Sequence, residues 1–321
     1  ENYKSFYREL YPMQFEDPLF NIHLNVDYPF NLTGILYFPK IQNDLNLQKD
    51  KIQLYQNQVF VTDNVEGIVP EFLTLLRGVI DSPDIPLNVS RSYLQADGAV
   101  KKISNYITRK VADKLNSLFK KDRKGFEEKW NDIKVVIEYG MLTEDKFYEK
   151  AGQFMLYPTT DGEFLTYNEL ETAVKDNQTD KDGKMVFLYA SNVEEQHQYI
   201  ETAKEKGYKV LLLDSPIIAH LIQKLEGEKE NIGFARVDGD AIENLIKKEE
   251  ATVSKMSDEE KERLKPLIEA VIPEKKYTVQ LEAMDSKGLP FVLTQPEFMR
   301  RMKEMQNTGG GMMGAFPEMY T

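Results

Sequence analysis

The sequence predicts a mixed α/β (α+β) protein. We expect two α/β sandwich subdomains joined by a small helical connector and followed by a partial α+β domain. Residues 19–27 alternate apolar and polar side chains, which is the pattern of a half-buried strand. Residues 125–155 change to helical spacing. Residues 185–237 then alternate strand, helix, strand, helix and strand, which is typical of a parallel sheet.

The first subdomain is predicted to begin with a β-hairpin and to continue with short strands. These strands are expected at residues 19–27, 32–38, 54–55 and 59–62. Helices are predicted next, at residues 69–80 and 92–121, with Pro70 near the first turn of one and Ser90 as N-cap of the other. The second helix has an apolar stripe at Ile103, Ile107, Val111, Leu115 and Leu118. We therefore expect an α/β layer with helices packed on a sheet.

The connector contains the one tryptophan, Trp130, which we expect in the core. The second subdomain is predicted to have strands at 185–190, 209–213 and 232–237, with helices at 194–206 and 215–226. Its VLLL run is typical of a strand that is buried on both faces. Gly207 stands where a helix is expected to stop.

Charged residues dominate positions 243–265, which predicts an exposed helix at a domain boundary. A short helix to Ala270 and a strand at 277–282 should follow. The expected parts are the large middle subdomain at 1–124, the connector at 125–157, the small middle subdomain at 158–242 and the start of a C-terminal domain at 243–321.

Composition restricts the classes of partner. A net charge of −12 argues against nucleic-acid binding, and we interpret Lys101, Lys102, Arg109 and Lys110 as the solvated face of a helix. No stretch reaches the roughly 18 apolar residues of a membrane span, so no membrane partner is expected. The absence of cysteine favours a reducing cytoplasm. The three histidines lack metal-ligand spacing, and no self-contained active site is visible.

The loop at residues 81–95, DSPDIPLNVSRSYLQ, is the most informative local feature. Pro83 and Pro86 each fix one backbone angle and bias the residue before them towards extended structure. Such a loop can hold the arginine near its end, Arg91, in a defined place, and a guanidinium suits phosphate. Alternatively, Arg91 covers the first turn of its own helix.

Two longer segments contain this loop and a hairpin before it. They read FEDPLFNIHLNVDYPFNLTGILYFPK and LYQNQVFVTDNVEGIVPEFLTLLRGVIDSPDIPLNVSRSYLQ. In this order they resemble the middle domain of the ninety-kilodalton heat-shock chaperone family. The resemblance is strong over about residues 15–120, and it is weaker but collinear over 185–240 and 277–320.

The resemblance implies roles for particular residues. Arg91 matches the arginine that contacts the terminal phosphate of ATP bound, with Mg²⁺, in a separate N-terminal domain. Gln95 matches a second loop residue linked to hydrolysis, although it could equally cap or solvate a helix. Phe15 matches an aromatic position linked to client contact, where many relatives have Trp.

Methionines are concentrated near the C-terminus, where six of the twelve occur after position 298. Met299, Met302 and Met305 share one helix face, and Met312, Met313 and Phe316 follow a glycine run. Methionine is common on surfaces that bind many partners. The resemblance implies contact with unfolded client proteins here, because relatives have an amphipathic methionine-bearing segment at this position. Alternatively, these residues pack against a part of the domain that is absent here.

We therefore expect a piece of an ATP-driven chaperone that dimerises in full length through a region absent from this chain. On its own the chain should be inactive as an ATPase and mostly monomeric. The alternative from another class is an ATP-independent protein-binding scaffold, in which Arg91 is structural.

Overall fold

The computed structural model describes residues 2–41, 51–86, 97–248, 255–272, 277–284 and 290–308, without the side chains of 305–308. The chain forms two compact units, Glu1–Leu156 and Tyr157–Thr321. Both contain helices and strands, so the predicted α/β class is confirmed. The four-part division predicted from the sequence stays a prediction.

The first unit is built on a five-stranded mixed sheet in the order β1-β2-β5-β3-β4. Its strands are β1 Phe20–Val26, β2 Leu32–Phe38, β3 Ile52–Gln56, β4 Val59–Thr62 and β5 Arg77–Asp81. In β1, Ile22 and Leu24 are buried while His23 and Asn25 are exposed, as the alternation predicted. The hairpin of β1 and β2 is antiparallel, and β5 runs parallel to β3.

The predicted helix at residues 69–80 is wrong. A short 3-10 helix spans Glu71–Leu75, and Arg77–Asp81 is the central strand. Gly78 explains the difference, since its φ is +137° and a Cβ there would lie 2.0 Å from the Ile35 carbonyl oxygen. Only glycine lets the strand approach β2 so closely.

The helices of the first unit are α1 Asn2–Leu10, α2 Gly98–Lys121, α3 Arg123–Glu128, α4 Trp130–Thr143 and α5 Asp145–Ala151. The sequence prediction missed α1. It correctly made residues 125–155 helical and placed Trp130 in the core, where that side chain is 2% exposed.

Helix α2 begins at Gly98, so the predicted start at Ser92 is wrong. Asp97 has extended backbone angles and caps the helix, since its carboxylate accepts hydrogen bonds from the amides of Ala99 and Val100 at 2.8 and 3.0 Å. An Asp-Gly pair therefore marks the start. The predicted N-cap, Ser90, lies outside the described residues. The apolar stripe is confirmed, because Ile103, Ile107, Val111 and Leu115 are buried and Leu118 is half-buried.

The second unit contains a three-stranded parallel sheet in the order β10-β8-β9 and a short hairpin of β6 and β7. Its strands are β6 Tyr157–Pro158, β7 Phe164–Leu165, β8 Met185–Ala190, β9 Val210–Leu212 and β10 Ile232–Arg236. Every residue of β8 is buried, which matches a central parallel strand. The strand-helix alternation predicted here is confirmed.

The helices of this unit are α6 Tyr167–Val174, α7 His197–Glu205, α8 Ile218–Glu228, α9 Ile242–Leu245, α10 Asp258–Glu269 and α11 Glu297–Thr308. Gly207 has φ +74° just after α7, as its predicted place at a helix stop requires. The exposed charged helix is confirmed as α10, which begins with a capping box of Ser257 and Glu260.

The strand predicted at residues 277–282 is wrong, because described residues 277–284 form no regular strand. Alternating side chains favour a strand only where a neighbouring strand can pair with it. No helix in the described part of the chain is both long and apolar enough to cross a bilayer.

Candidate functional site

The structure describes both ends of the loop that contains Arg91. Arg91 and Gln95 lie within residues 87–96, which are outside the described residues, so their roles stay predictions. Pro86 and Asp97 are described on either side of this segment of ten residues. The structure therefore shows how the loop is attached at each end.

The upstream end is attached by a compact set of hydrogen bonds. The Ser82 hydroxyl donates to the Asn31 carbonyl oxygen at 2.6 Å, and the Asn31 amide donates to the Asp84 carboxylate at 2.6 Å. The amide of Ser82 donates to the carbonyl oxygen of Tyr55 at 3.1 Å. Ser82 and Ile85 are 0% and 1% exposed. This end is therefore fixed to the sheet by polar and apolar contacts together.

The downstream end is attached through α2. The Asp97 cap fixes the first turn, and Val100 is buried directly after it. Further along the helix, the Tyr106 hydroxyl donates to the Asn25 carbonyl oxygen of β1 at 3.3 Å. Both ends of the segment are therefore held by the same unit.

The basic residues of α2 lie on its outer side. Lys101, Lys102 and Arg109 are exposed, and Lys110 is half-buried. The charged groups of Arg109 and Lys110 lie 5.6 and 5.5 Å from the Tyr106 ring centroid. The interpretation of these residues as a solvated face is confirmed. Lys101 and Lys102 also place positive charge in the first turns after the loop.

Phe15 lies between α1 and β1, and its side chain is 96% exposed. Nearby in sequence, the Asp17 carboxylate binds Lys4 at 3.0 Å and Arg8 at 2.9 Å. The hydrogen bonds from Lys4 and then Arg8 hold the pKa of Asp17 below its usual value. The segment is therefore tied to α1 while the aromatic ring projects into water.

The described part of the methionine-rich region is α11. Its outer face has Phe298 at 71% and Met302 at 37% exposed. The Met305 side chain, Met312, Met313 and Phe316 lie outside the described residues. The client-contact role of all these residues stays a prediction.

A charged network, which we call the arginine clasp, attaches the opposite face of α11 to the second unit. It comprises Arg300 and Arg301, the carboxylates Glu297, Glu304 and Glu226, and the hydroxyl of Tyr189. The Arg300 guanidinium, 3% exposed, binds Glu297 at 2.6 Å and Glu304 at 2.7 Å. It also donates to the Tyr189 hydroxyl at 2.7 Å.

Arg301 makes the second attachment of the clasp. Its guanidinium binds the Glu226 carboxylate of α8 at 2.8 Å and donates to the Phe234 carbonyl oxygen of β10 at 2.7 Å. It also binds Glu297 at 2.7 Å. Two neighbouring arginines therefore hold the helix against both a helix and a strand.

Burial and charge act together on the titratable groups of the clasp. Burial raises the pKa of the Glu297 carboxyl, but Arg300 and then Arg301 outweigh this effect and hold the pKa below its usual value. Burial, followed by the nearby Glu297 charge, raises the pKa of Tyr189 to about 12. At neutral pH the network therefore contains an ionised carboxylate and a neutral phenol.

The sequence analysis did not identify the clasp. A signal was present, since Glu297, Arg300, Arg301 and Glu304 recur at helical spacing and form a charged face. The sequence analysis interpreted α11 from the methionines on its other face instead. Within the described residues, no cluster of acidic or histidine side chains could hold a metal ion.

Comparison with known proteins identifies the class to which this fold and loop belong. The family model described as Hsp90 protein matches residues 1–308. The chain therefore belongs to the Hsp90 family, and the predicted resemblance is confirmed.

Within that family the chain is similar to bacterial proteins called chaperone protein HtpG. It is 55% identical over 325 residues to that of Bacteroides thetaiotaomicron, which covers 100% of this chain and 48% of the relative. With that of Porphyromonas gingivalis it shares 56% identity over 325 residues, covering 100% and 47%. The protein of Bdellovibrio bacteriovorus is 26% identical over 292 residues, covering 89% and 45%. The chain spans about half the length of the curated relatives it matches.

Proposed function

We propose that this chain is the middle domain and the start of the C-terminal domain of an ATP-driven HtpG-type chaperone. Membership of the Hsp90 family carries the proposal, together with identity of 55% along the whole chain to a protein named as a chaperone. The full protein would work in the cytoplasm as a homodimer. Its partners would be non-native client proteins and its own N-terminal ATPase domain.

In this proposal Arg91 acts on ATP held, with Mg²⁺, by the N-terminal domain. ATP supplies the phosphoryl group whose charge increases during transfer, and a guanidinium stabilises that charge. Such arginines contribute on the order of 10³ to 10⁵ in rate in small GTPases. We expect less here, because domain closure limits many enzymes of this kind. Gln95 would bind the phosphate or brace the arginine.

Two described features suit this role. The loop is attached at Ser82 and Asp97 to one compact unit, so the conformational entropy lost on placing Arg91 is smaller than for a free tail. Exposed Lys101 and Lys102 follow the loop, and positive charge there favours approach of a polyphosphate.

Client contact would use exposed apolar side chains on both units. Phe15 of the first unit is 96% exposed, and Phe298 and Met302 of α11 are 71% and 37% exposed. Side chains that remain in water without a partner suit transient binding of many sequences. We also propose the four-part division at residues 124, 157 and 242 for this region.

The decisive experiment measures ATP turnover of the full-length protein with Arg91→Ala. We expect a loss of at least tenfold, with ATP affinity and melting temperature unchanged. Arg109→Ala is the matched control, because Arg109 is an exposed arginine on α2 outside the loop. It should leave turnover within twofold.

Unchanged turnover in Arg91→Ala would contradict the trans-acting role. It would favour the alternative of an ATP-independent binding scaffold, in which Arg91 only supports its loop. A lower melting temperature with turnover lost in proportion would support the same alternative.

A further inference from the structure

A groove of about 920 Å³ runs along α7 in the second unit. One wall is α7, another is the chain after β10 at residues 237–243, and a third includes residues 291–293. This volume lies at the upper end of the roughly 300–1,000 Å³ that is usual for ligand sites. Its described lining does not include Phe15, Phe298 or Met302, the described residues proposed above for client contact.

Apolar side chains form part of the lining of the groove. Val237, Ala241 and Ile242 form its base and are 2%, 7% and 9% exposed. Phe291 and Leu293 stand at its side and are 70% and 48% exposed. Side chains of this size left in water indicate an open groove, which fits a chain segment better than an enclosed small molecule.

The third wall of the groove is tied to the body of the unit. The Tyr199 hydroxyl of α7 donates to the Leu293 carbonyl oxygen. The Gln295 amide donates to the Asp238 carbonyl oxygen at 3.0 Å. The groove is therefore formed before any partner arrives, which reduces the entropic cost of binding.

The rim of the groove is acidic. Its lining includes the carboxylates Glu201, Glu205, Asp240 and Glu243. Among the described lining residues the one lysine or arginine is Lys206, which binds Glu243 at 3.1 Å. Lys204 of α7 binds a second lining carboxylate, that of Glu201, at 3.4 Å. Within the described residues, four lining carboxylates against these two ammonium groups leave a charge of −2. Such a rim attracts cations and disfavours acidic chains, nucleic acids and nucleotides.

We propose that this groove binds extended segments of non-native polypeptide in which apolar side chains alternate with Lys or Arg. The apolar side chains contact Phe291 and Leu293, and the basic side chains pair with Glu205 and Asp240 on the rim. The inference rests on the client-binding part of the proposed function, although it requires neither ATP nor the loop of Arg91. It assigns a charge preference to a surface on the second unit.

The test measures binding of fluorescein-labelled nine-residue peptides to this chain by polarisation. One peptide alternates Leu or Val with Lys, one replaces Lys with Glu, and one replaces the apolar residues with Ser. We expect the basic apolar peptide to bind at least tenfold more tightly than either of the others. Its affinity should fall as salt screens the rim.

Variants locate the binding. Glu201→Lys combined with Glu205→Lys should weaken the basic peptide at least tenfold, and Phe291→Ser should weaken it severalfold. The matched control is Glu228→Lys with Glu230→Lys, which reverses two exposed acids at and just beyond the end of α8. Glu201→Lys also removes an exposed ion pair with Lys204, which contributes little to stability. The other charge reversals are at exposed positions and Phe291 is 70% exposed, so folding should persist.

Equal binding of the acidic peptide would overturn the proposal, as would a groove variant that behaves like the control. Light scattering tests whether a second copy of the chain occupies the groove instead of a client. If a groove variant abolishes self-association of the chain, the groove belongs to that second copy. None of these results bears on turnover in the Arg91 experiment, so failure here is distinguishable from failure of the proposed function.

Discussion

Helices α2 and α11 border the two regions proposed to act, and they are attached to the protein in opposite ways. Helix α2 is held by an apolar stripe in which Ile103, Ile107 and Val111 are each 0% exposed. Helix α11 is held by the arginine clasp, with Arg300 at 3% exposure. Apolar burial is insensitive to pH and moderate salt, whereas paired buried charges depend on every partner being present and ionised. The support of the loop should therefore be constant, while the support of the methionine face can be lost under defined conditions.

The largest effect should come from Arg300→Met. Removing the guanidinium takes one cation from Glu297 and one from Glu304, which keep their contacts to Arg301 and Arg236. The cost should therefore lie at the lower end of the about 3–5 kcal/mol that follows loss of one partner of a buried ion pair. Hydrogen exchange should show loss of protection in α11, with α2 unchanged. Arg263→Met on exposed α10 is the control and should change neither helix. Equal loss of protection in α2 would contradict the conclusion that the two helices are attached by different kinds of contact.

The next effect is a pH dependence confined to α11. Because the folded pKa of Glu297 is lowered, its stabilising contribution is present above the unfolded value of about 4.3. It is lost as the pH falls from that value through the folded pKa. Limited proteolysis near α11 should therefore accelerate below about pH 4. Glu297→Gln should reduce this dependence, leaving the part that comes from Glu226 and Glu304, and an unaltered acid response in that variant would contradict the assignment.

The smallest effect concerns the cap of α2. Asp97→Ala removes the acceptor for the amides of Ala99 and Val100 and should destabilise the first unit by about 1 kcal/mol. Denaturant unfolding measures this difference, and Asp97→Ser should restore most of it. If Asp97→Ala instead destabilises α11 alone in hydrogen exchange, the two helices are not independently attached.

Local patterns predicted what depends on local contacts. The alternation around Leu24 identified β1, and the fully buried β8 followed from its continuous apolar run. The central strand Arg77–Asp81 was missed because its environment is set by β2 and β3, which lie elsewhere in the sequence. Gly78 inside an apparent helix was the local indication of error.

The candidate site was predicted less completely, for a similar reason. The partners that bury the clasp arginines are distant in sequence, since Tyr189 lies 111 positions from Arg300 and Glu226 lies 75 from Arg301. No pattern within α11 specifies those partners. Arg91 and Gln95 came from motif resemblance, and the structure contributes the attachments at Ser82 and Asp97.

The arginine clasp also restricts how α11 can move. A helix fixed at a single point can swivel about its own long axis, whereas a helix pinned at two points cannot. Arg300 joins α11 to the phenol of Tyr189, and Arg301 joins it to Glu226 and to the backbone of Phe234. These two attachments prevent α11 from rotating, so the side chains of Phe298 and Met302 keep facing solvent. Loss of either the Arg300 or the Arg301 contacts would let α11 rotate about the remaining attachment, while the helix stayed bound to the second unit.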